Sequence, residues 1–364
     1  MIWWKYKIIQ SHSSPYKKHI LRLFFHKLTH WEYWPFQIVY IPIYFLGIYY
    51  AIKAKSLYFF NAANPTIKNG GFMMESKKEI YDLIPQQYYP KSQLIQEGTP
   101  LEKILRIVDM AKMNYPLIAK PDIGLRGSGV KKINSQADLE AYANKANFNY
   151  LIQDLIPYPN EIGIFYVRYP HQQSGLITGI VSKEFLIITG NGIDTVEELI
   201  KSNPRYELQL KVLKKEYGSK LFEILPKGEK LNLVPYGNHA RGAKFIDGSH
   251  WITPKLTETI NKMCLEIPGF YFGRLDVMYN TFEEMEQGLN FSMVELNGAG
   301  SEPTHIYDPK HSLFFAWKEL ARHFTYMYEI SLANHQNGAP YLTHKEGLKE
   351  YNMHLKHSAK IVNF

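Results

Sequence analysis

Two stretches of this 364-residue chain hold side chains whose types and spacing suit phosphate and metal chemistry. The first reads Ala119-Lys-Pro-Asp-Ile-Gly-Leu-Arg-Gly-Ser-Gly-Val130. Gly124, Gly127 and Gly129 let backbone N–H groups approach a phosphate and adopt positive φ, and Ser128 stands between two of them. Lys120 precedes the loop, where an ammonium can reach a phosphate oxygen. The stretch is not a Walker loop, because G-x-x-x-x-G-K-S/T occurs nowhere, and it lacks the G-x-G-x-x-G spacing of a dinucleotide fingerprint. Taken alone, it fits a glycine-rich hairpin turn equally well.

The second stretch is a pair, Gly273-Arg-Leu-Asp-Val277 and Val294-Glu-Leu-Asn297. Residues two apart on a strand share a face, so Arg274 goes with Asp276 and Glu295 with Asn297. If the strands pair, one patch holds two carboxylates, an amide and a guanidinium. Such a hard, oxygen-rich set suits Mg²⁺ with a cation beside it. Leu275, Val277, Val294 and Leu296 would then point into the core. The bland alternative is a solvated strand face with an Arg–Asp pair. The histidines, His239, His250, His305 and His311 among them, show no metal-ligand spacing, although His305 lies close to Asn297 as a candidate substrate contact. No G-x-S-x-G elbow surrounds Ser128, and Cys264 falls in an apolar helical stretch.

The positioning elements follow from periodicity and caps. Residues 76–83 start helix-like. Residues 115–121 read as a strand running into the glycine loop, and 130–133 as its return. Ser135 caps a helix with Asp138 at the third position and Leu139 and Tyr142 on its apolar face. Strands are expected at 150–156, 161–169, 176–185, 273–279 and 291–296, with a further short one at 56–60 and a loop over 61–71. Thr195-Val-Glu-Glu198 is a capping-box pattern. Residues 206–217, 254–267 and 311–330 read as helices. Strand pairs with interleaved helices predict a mixed α+β body rather than a regular βαβ ladder.

Composition sets the frame. With 45% hydrophobic and 21% charged residues the chain is globular. One cysteine rules out an internal disulfide framework and fits a reducing compartment. A net charge of +8 suits anionic partners such as nucleotides or phospholipid headgroups. No nucleic-acid-binding module is recognisable. The start lacks a basic region, apolar core and cleavage site in series, so no secretory signal is expected. Residues 17–27 are basic and amphipathic, and residues 33–52 carry no formal charge but many Tyr and Trp. Pro35, Pro42, Gly47 and Gln37 interrupt that run. Three readings stay open for it: an interfacial or re-entrant membrane segment, a helix buried against the body, and a full span.

In combination, the glycine loop with its lysine and, about 150 residues on, the Asp strand and Glu-x-Asn strand resemble the ATP-grasp superfamily over about residues 76–309. PLIAKPDIGLRGSGV, GRLDVM and VELNGAGSEP are similar to D-alanine–D-alanine ligases. ITGNGIDTVEELI, followed by NHARGAKFID, is similar to cyanophycin synthetase and glutathione synthetase-like enzymes. The resemblance implies an ATP-grasp fold with two α+β lobes gripping ATP. The expected organisation is an aromatic, basic segment over 1–70, a first lobe over 71–150, a second over 151–320 and a helical tail over 321–364. It implies a carboxylate–amine ligase working through an acyl phosphate, with ATP and Mg²⁺ as cofactors, two ions expected and Mn²⁺ as a substitute.

Residue by residue, the resemblance has Lys120 and an upstream lysine, Lys77 rather than Lys78, hold ATP phosphates beside Gly124, Gly127, Ser128 and Gly129. Gln153, Asp154, Leu155 and Ile156 meet adenine, with Gln153 standing where the family often has Glu. Glu161 bonds the ribose, and Asp276, Glu295 and Asn297 ligate Mg²⁺. Arg274 stabilises charge on the acyl phosphate, and Arg241 touches the γ-phosphate or the acid substrate. The short aromatic start departs from D-alanine–D-alanine ligases, which carry a nucleotide-fold-like lobe there, so the first-substrate site is unassigned. The acid and amine are small or lipid-linked. The protein is expected in the cytoplasm, peripheral to the inner membrane face through residues 17–55. A D-alanine–D-alanine ligase proper, a kinase on the same fold and a non-catalytic nucleotide-binding module are the other readings.

Overall fold

Side-chain caps set several helix starts in this chain. In the computed structural model, which describes residues 15–124, 127–234, 243–362 and 364, helix α1 (Pro15–Thr29), α2 (Phe36–Val39) and α3 (Ile41–Ala54) come first. Then follow α4 (Lys77–Leu83), β1 (Ser92–Ile95), α5 (Leu101–Met110), β2 (Leu117–Pro121), β3 (Lys131–Ile133), α6 (Gln136–Lys145) and β4 (Tyr150–Asp154). The middle holds β5 (Asn160–Val167), β6 (Leu176–Glu184), β7 (Leu186–Thr189), α7 (Val196–Ser202), α8 (Pro204–Glu207), α9 (Leu210–Tyr217) and β8 (Lys230–Val234). The last elements are β9 (Lys244–Asp247), α10 (Pro254–Leu265), β10 (Phe272–Tyr279), α11 (Phe282–Glu286), β11 (Phe291–Asn297), α12 (Leu313–Gln336) and α13 (His344–Val362). Ser76 caps α4 and Ser135 caps α6, while Thr195 and Glu198 form the full capping box of α7.

The described residues fall into two compact units, one within residues 1–39 and 186–235, the other within 40–185 and 236–364. The first unit pairs β7 with β8 over a core of Leu186, Ile188, Val196, Ile200, Leu213 and Leu233. Ion pairs complete it: the exposed Arg22 donates to the buried Glu207 at 2.5 Å, and the buried Arg205 Nη2 donates to both oxygens of Glu32 at 2.7 and 2.6 Å.

The second unit contains two antiparallel sheets. One has the order β1-β4-β2-β3 and the other β11-β10-β5-β6-β9. Their cores join Leu117, Ile133, Leu139 and Ile152 in the first, and Ile162, Ile164, Leu275, Val277 and Met293 in the second. The body is thus mixed helix and sheet with strands pairing antiparallel, as the sequence pattern predicts.

Three features were not legible beforehand. Residues 56–60, expected as a strand, lead instead into a 3-10 turn over Phe59–Ala63. Phe59, Ala62 and Ala63 are spaced to bury one helical face, and Phe59 packs on Tyr328 and Phe324 of α12 at 5.7 and 6.3 Å between ring centroids. Helix α5 carries an apolar face through Ile104 and Val108 that holds β1 in place. Residues 61–71, expected as a loop, are wired into the second sheet. Asn64, with no exposed surface, donates to Gly70 O and Phe272 O at 2.9 and 2.8 Å and accepts from Tyr271 N and Phe272 N at 2.9 and 3.0 Å. Gly71, at φ +77°, lies so close that a Cβ there would meet Gly298 Cα at 2.6 Å. That approach seats the segment directly behind Asn297.

Among the described residues no helix is long and apolar enough to cross a membrane. The 14 residues of α3 span about 21 Å, short of the roughly 30 Å hydrocarbon core. One face of α3 is buried, with Tyr50 and Ala51 in a core shared with Met327, Tyr328 and Ile330 of α12, and Ile43 is buried about two turns earlier.

Candidate active site

Strand register assembles the site. β10 pairs with β11 so that Arg274 stands opposite Asn297 and Asp276 opposite Glu295. On its other edge β10 pairs with β5, which sets Gly163 opposite Asp276 and Glu161 opposite Met278. Cross-strand partners share a face, so Glu161, Arg274, Asp276, Glu295 and Asn297 line one side of the sheet. Gly163 leaves the room this needs, because a Cβ there would meet Asp276 Oδ1 at 3.1 Å and Arg274 Cδ at 3.2 Å.

The carboxylates are met by cations. Arg274 Nε and Nη2 donate to the two oxygens of Asp276 at 3.0 and 3.2 Å. Lys183 Nζ donates to Glu161 and lies 3.6 Å from Asp276. Lys77 Nζ lies 3.0 Å from Glu295. Burial opposes charge at each group, but these partners prevail: Asp276 and Glu295 are held below the usual carboxylate range, and Lys77, Lys183 and Arg274 are pushed up.

Lys120 is the exception. Burial, reinforced by the neighbouring Lys77, lowers its pKa to about 7. Its Nζ donates to Tyr81 Oη at 2.9 Å and to Val294 O at 3.1 Å. That carbonyl is turned inward by a bulge. Asp276 pairs with Glu295 but Val277 pairs with Met293, so Val294 is the extra residue. The sequence pattern placed the Val294 side chain in the core. Met293, with no exposed surface, takes that place, because the bulge shifts the alternation by one. Tyr81 Oη donates to the same carbonyl at 2.5 Å and to Gln153 Oε1 at 3.2 Å.

The glycine loop returns toward the same place. Asp122 accepts from Ser76 Oγ and Lys78 N, each at 2.9 Å, which ties the start of α4 to the loop. A Cβ on Gly124 would meet Lys77 Nζ at 2.7 Å, so the absence of a side chain lets the loop close on that lysine. Gly127 and Gly129 adopt φ of +76° and +74°, and Ser128 lies between them. Asp154 ends β4, and Leu155 and Ile156 begin the connector from the first sheet to the second, with Leu155 exposed and Ile156 buried. Burial raises the Asp154 carboxyl. Arg241 lies outside the described residues. His305 is buried, 3.5 Å from Glu319, with its ring against Gly179.

Several members of the cluster escape a reading of sequence alone. Lys183 lies near the end of the largely apolar strand β6, and only the β5–β6 register brings it to Glu161. Tyr81 sits on the helix after Lys77, where a buried hydroxyl leaves no pattern. Glu302 holds Arg274 from a loop, through Nη1 donating to its backbone carbonyl at 3.3 Å. Glu75, two residues before Lys77, has a buried, unpartnered Oε2, and burial raises its carboxyl to about 7.

Among the described residues no three His, Cys, Asp or Glu side chains are grouped as a ready metal cage. Magnesium sites seldom need one, since one or two carboxylates with waters and substrate phosphates complete the shell. The Asn297 amide nitrogen is buried and unpartnered, and the oxygen of the same amide is the atom that would face a metal. Two paired carboxylates and this amide are a donor set of the right chemistry.

No family model matches the chain. Over 274 residues it is 22% identical to the glutathione biosynthesis bifunctional protein GshAB of Streptococcus mutans, covering 66% of this chain and 35% of that protein. The chain thus spans about a third of the length of this curated relative. Among solved structures it is similar to a bifunctional glutathione synthetase from Pasteurella multocida (15% identity, 72% of this chain and 38% of that one, TM-score 0.39). It is also similar to a D-alanine–D-alanine ligase from Bacillus anthracis (15% identity, 72% and 69%, TM-score 0.41) and to the VanG D-Ala:D-Ser ligase from Enterococcus faecalis (15%, 70% and 61%, TM-score 0.40).

Proposed function

We propose that the chain is an ATP-grasp ligase that uses Mg-ATP to activate a carboxylate and joins it to an amine. The observation that carries this reading is the single sheet face on which Asp276 stands opposite Glu295 and Arg274 opposite Asn297, with Lys77 on Glu295. The 274-residue likeness to a protein of glutathione biosynthesis agrees with it.

In this reading Lys120, Lys77 and the loop from Gly124 to Gly129 hold the ATP phosphates. Gln153, Asp154, Leu155 and Ile156 border adenine, and Glu161 takes the ribose. Asp276, Glu295 and Asn297 would hold Mg²⁺, two ions or Mn²⁺ in their place, and the metal would neutralise phosphate charge. Lys77 exchanges Glu295 for a phosphate oxygen, which frees that carboxylate. A substrate carboxylate oxygen then bonds to the γ-phosphorus as the bond to the β–γ bridging oxygen breaks, and ADP leaves. An amine attacks the acyl carbon, loses a proton, and inorganic phosphate departs. Arg274, fixed by Asp276 and Glu302, faces the charge that develops there. Replacing Arg274 with lysine keeps one positive charge but loses the fork, and turnover is expected to fall about 10²-fold. Steady-state kinetics check this, with ATP binding preserved as the control.

Lys120 gives a direct reading of phosphate binding. Its pKa of about 7 in the free protein leaves it mostly neutral at pH 8. Polyphosphate beside it favours the ammonium, so Mg-ATP binding at pH 8 takes up about one proton. Because the bound pKa exceeds the free one, affinity weakens as pH rises above 7. Calorimetry in buffers of different ionisation enthalpy measures the uptake. Lys120→Met removes it, and a wild-type protein with no uptake would remove Lys120 from the phosphate site.

The deciding experiment is a phosphate-release screen with Mg-ATP against amino acids, dipeptides and amine-bearing lipids. A ligase releases ADP and phosphate only with a matching acid and amine. A stable phosphoester without free phosphate would mark a kinase, and no turnover with any pair would leave a binding module.

A further inference from the structure

We propose that the outward face of α3 docks this protein onto an anionic phospholipid bilayer, with the helix lying in the plane of the headgroups. The inner face of α3 is accounted for. Tyr50 stacks on Tyr328 at 4.2 Å, its hydroxyl pairs with Thr325 at 2.8 Å, and Gly47 admits the ring of Phe324. The outer face is not. Ile41, Tyr44, Phe45, Ile48, Tyr49 and Ile52 are spaced to form one continuous stripe, and they are 46–72% exposed. A water-facing helix places charged side chains on that side. Here no charged residue occurs from 33 to 52, and a stripe of this kind marks an interaction surface.

The chemistry around the stripe selects lipid. Between Glu32 and Glu75 there is no acidic residue, while Lys53 and Lys55 follow the last apolar turn and are exposed. Lys53 Nζ stands 5.3 Å over the ring of Tyr49, so cation and aromatic edge the same end of the stripe. Tyrosines with apolar rings and water-facing hydroxyls suit the headgroup level, and lysines beyond them suit anionic phosphates. At 14 residues α3 is too short to span, which leaves the in-plane orientation. Helix α1, in the other unit, carries a stripe of the same character through Leu21, Phe24, Phe25 and Leu28. Helix α3 is also joined to the candidate active site: Tyr40, at its start, donates to the Glu302 carboxylate. The docking does not depend on the ligation reading.

Flotation of the full chain with vesicles of phosphatidylcholine, alone or mixed with phosphatidylglycerol, tests the proposal. The protein is expected to float with the mixed vesicles, less with phosphatidylcholine alone, and less at high salt. The double variant Phe45→Glu, Ile48→Glu, at positions outside the core, is expected to keep its circular dichroism and lose at least about tenfold in partitioning. The single variant Phe45→Trp is expected to show, relative to wild type, added emission that shifts to the blue when mixed vesicles are present. Wild-type protein remaining unbound, the charged variant floating equally well, or added emission from Phe45→Trp that does not move would each overturn the proposal. So would light scattering that shows a dimer which the charged variant breaks while vesicles bind neither form, since the stripe would then belong to a second copy.

Discussion

On the ligase reading, Glu295→Gln is expected to lower ATP-dependent phosphate release at least about a thousandfold, with the acid and amine that the screen returns. The reason is its place in the register. Glu295 stands opposite Asp276 across the strand pair, and its carboxylate is the partner of Lys77. Glutamine keeps the shape but brings no charge to a metal, and it leaves Lys77 without its counter-ion. The fold is expected to persist, because the strand residues behind this face, Leu275 and Leu296, are untouched. Circular dichroism and a cooperative melt check that, alongside coupled-enzyme detection of ADP. Activity within about tenfold of wild type would exclude Glu295 as a metal ligand and, with Asp276→Asn equally active, the ligase reading itself.

Asn64→Ala costs about 3–5 kcal/mol of stability, a drop of roughly 10 °C in melting midpoint. Asn64 makes four hydrogen bonds to backbone groups of Gly70, Tyr271 and Phe272, and none of its surface is exposed. Alanine leaves those groups with no partner in a dry site, and each unsatisfied group costs about 1–3 kcal/mol before relaxation. Asn64→Asp retains the acceptor half but turns a carboxylate oxygen toward the Gly70 and Phe272 carbonyls in a site with no exposed surface, so its loss is expected to be at least as large at neutral pH and to shrink as pH falls and the carboxyl protonates. Urea titration measures both. A loss below about 1 kcal/mol for the alanine variant would mean that water replaces the side chain.

Legibility in the sequence followed the range of each interaction. Caps are made between residues three apart, so Ser135 with Asp138 and Thr195 with Glu198 were readable, and the structure has both. Strand alternation is equally local, which is why Arg274 with Asp276 and Glu295 with Asn297 could be assigned to shared faces. Val294 was misplaced because a bulge is a property of two strands, and one strand alone cannot announce it. Lys183 was missed for a related reason: its partner Glu161 lies across a register set by the β5–β6 pairing. The turn over Phe59–Ala63 escaped because its apolar residues are paired with rings on α12, more than 250 residues along the chain.

What the sequence determined by itself is the inventory: a lysine before a glycine loop, two strands with alternating charge, and an aromatic run free of acidic residues. Each depends on residue type and spacing within about a dozen positions. What only the tertiary structure decided is which charges meet. It set Lys77 on Glu295, set Lys183 beside Asp276, buried Lys120 until its charge is lost near neutrality, and left one face of α3 bare. Those outcomes depend on strand register and helix packing between distant segments, and Coulomb and desolvation energies have no value until the distances are set.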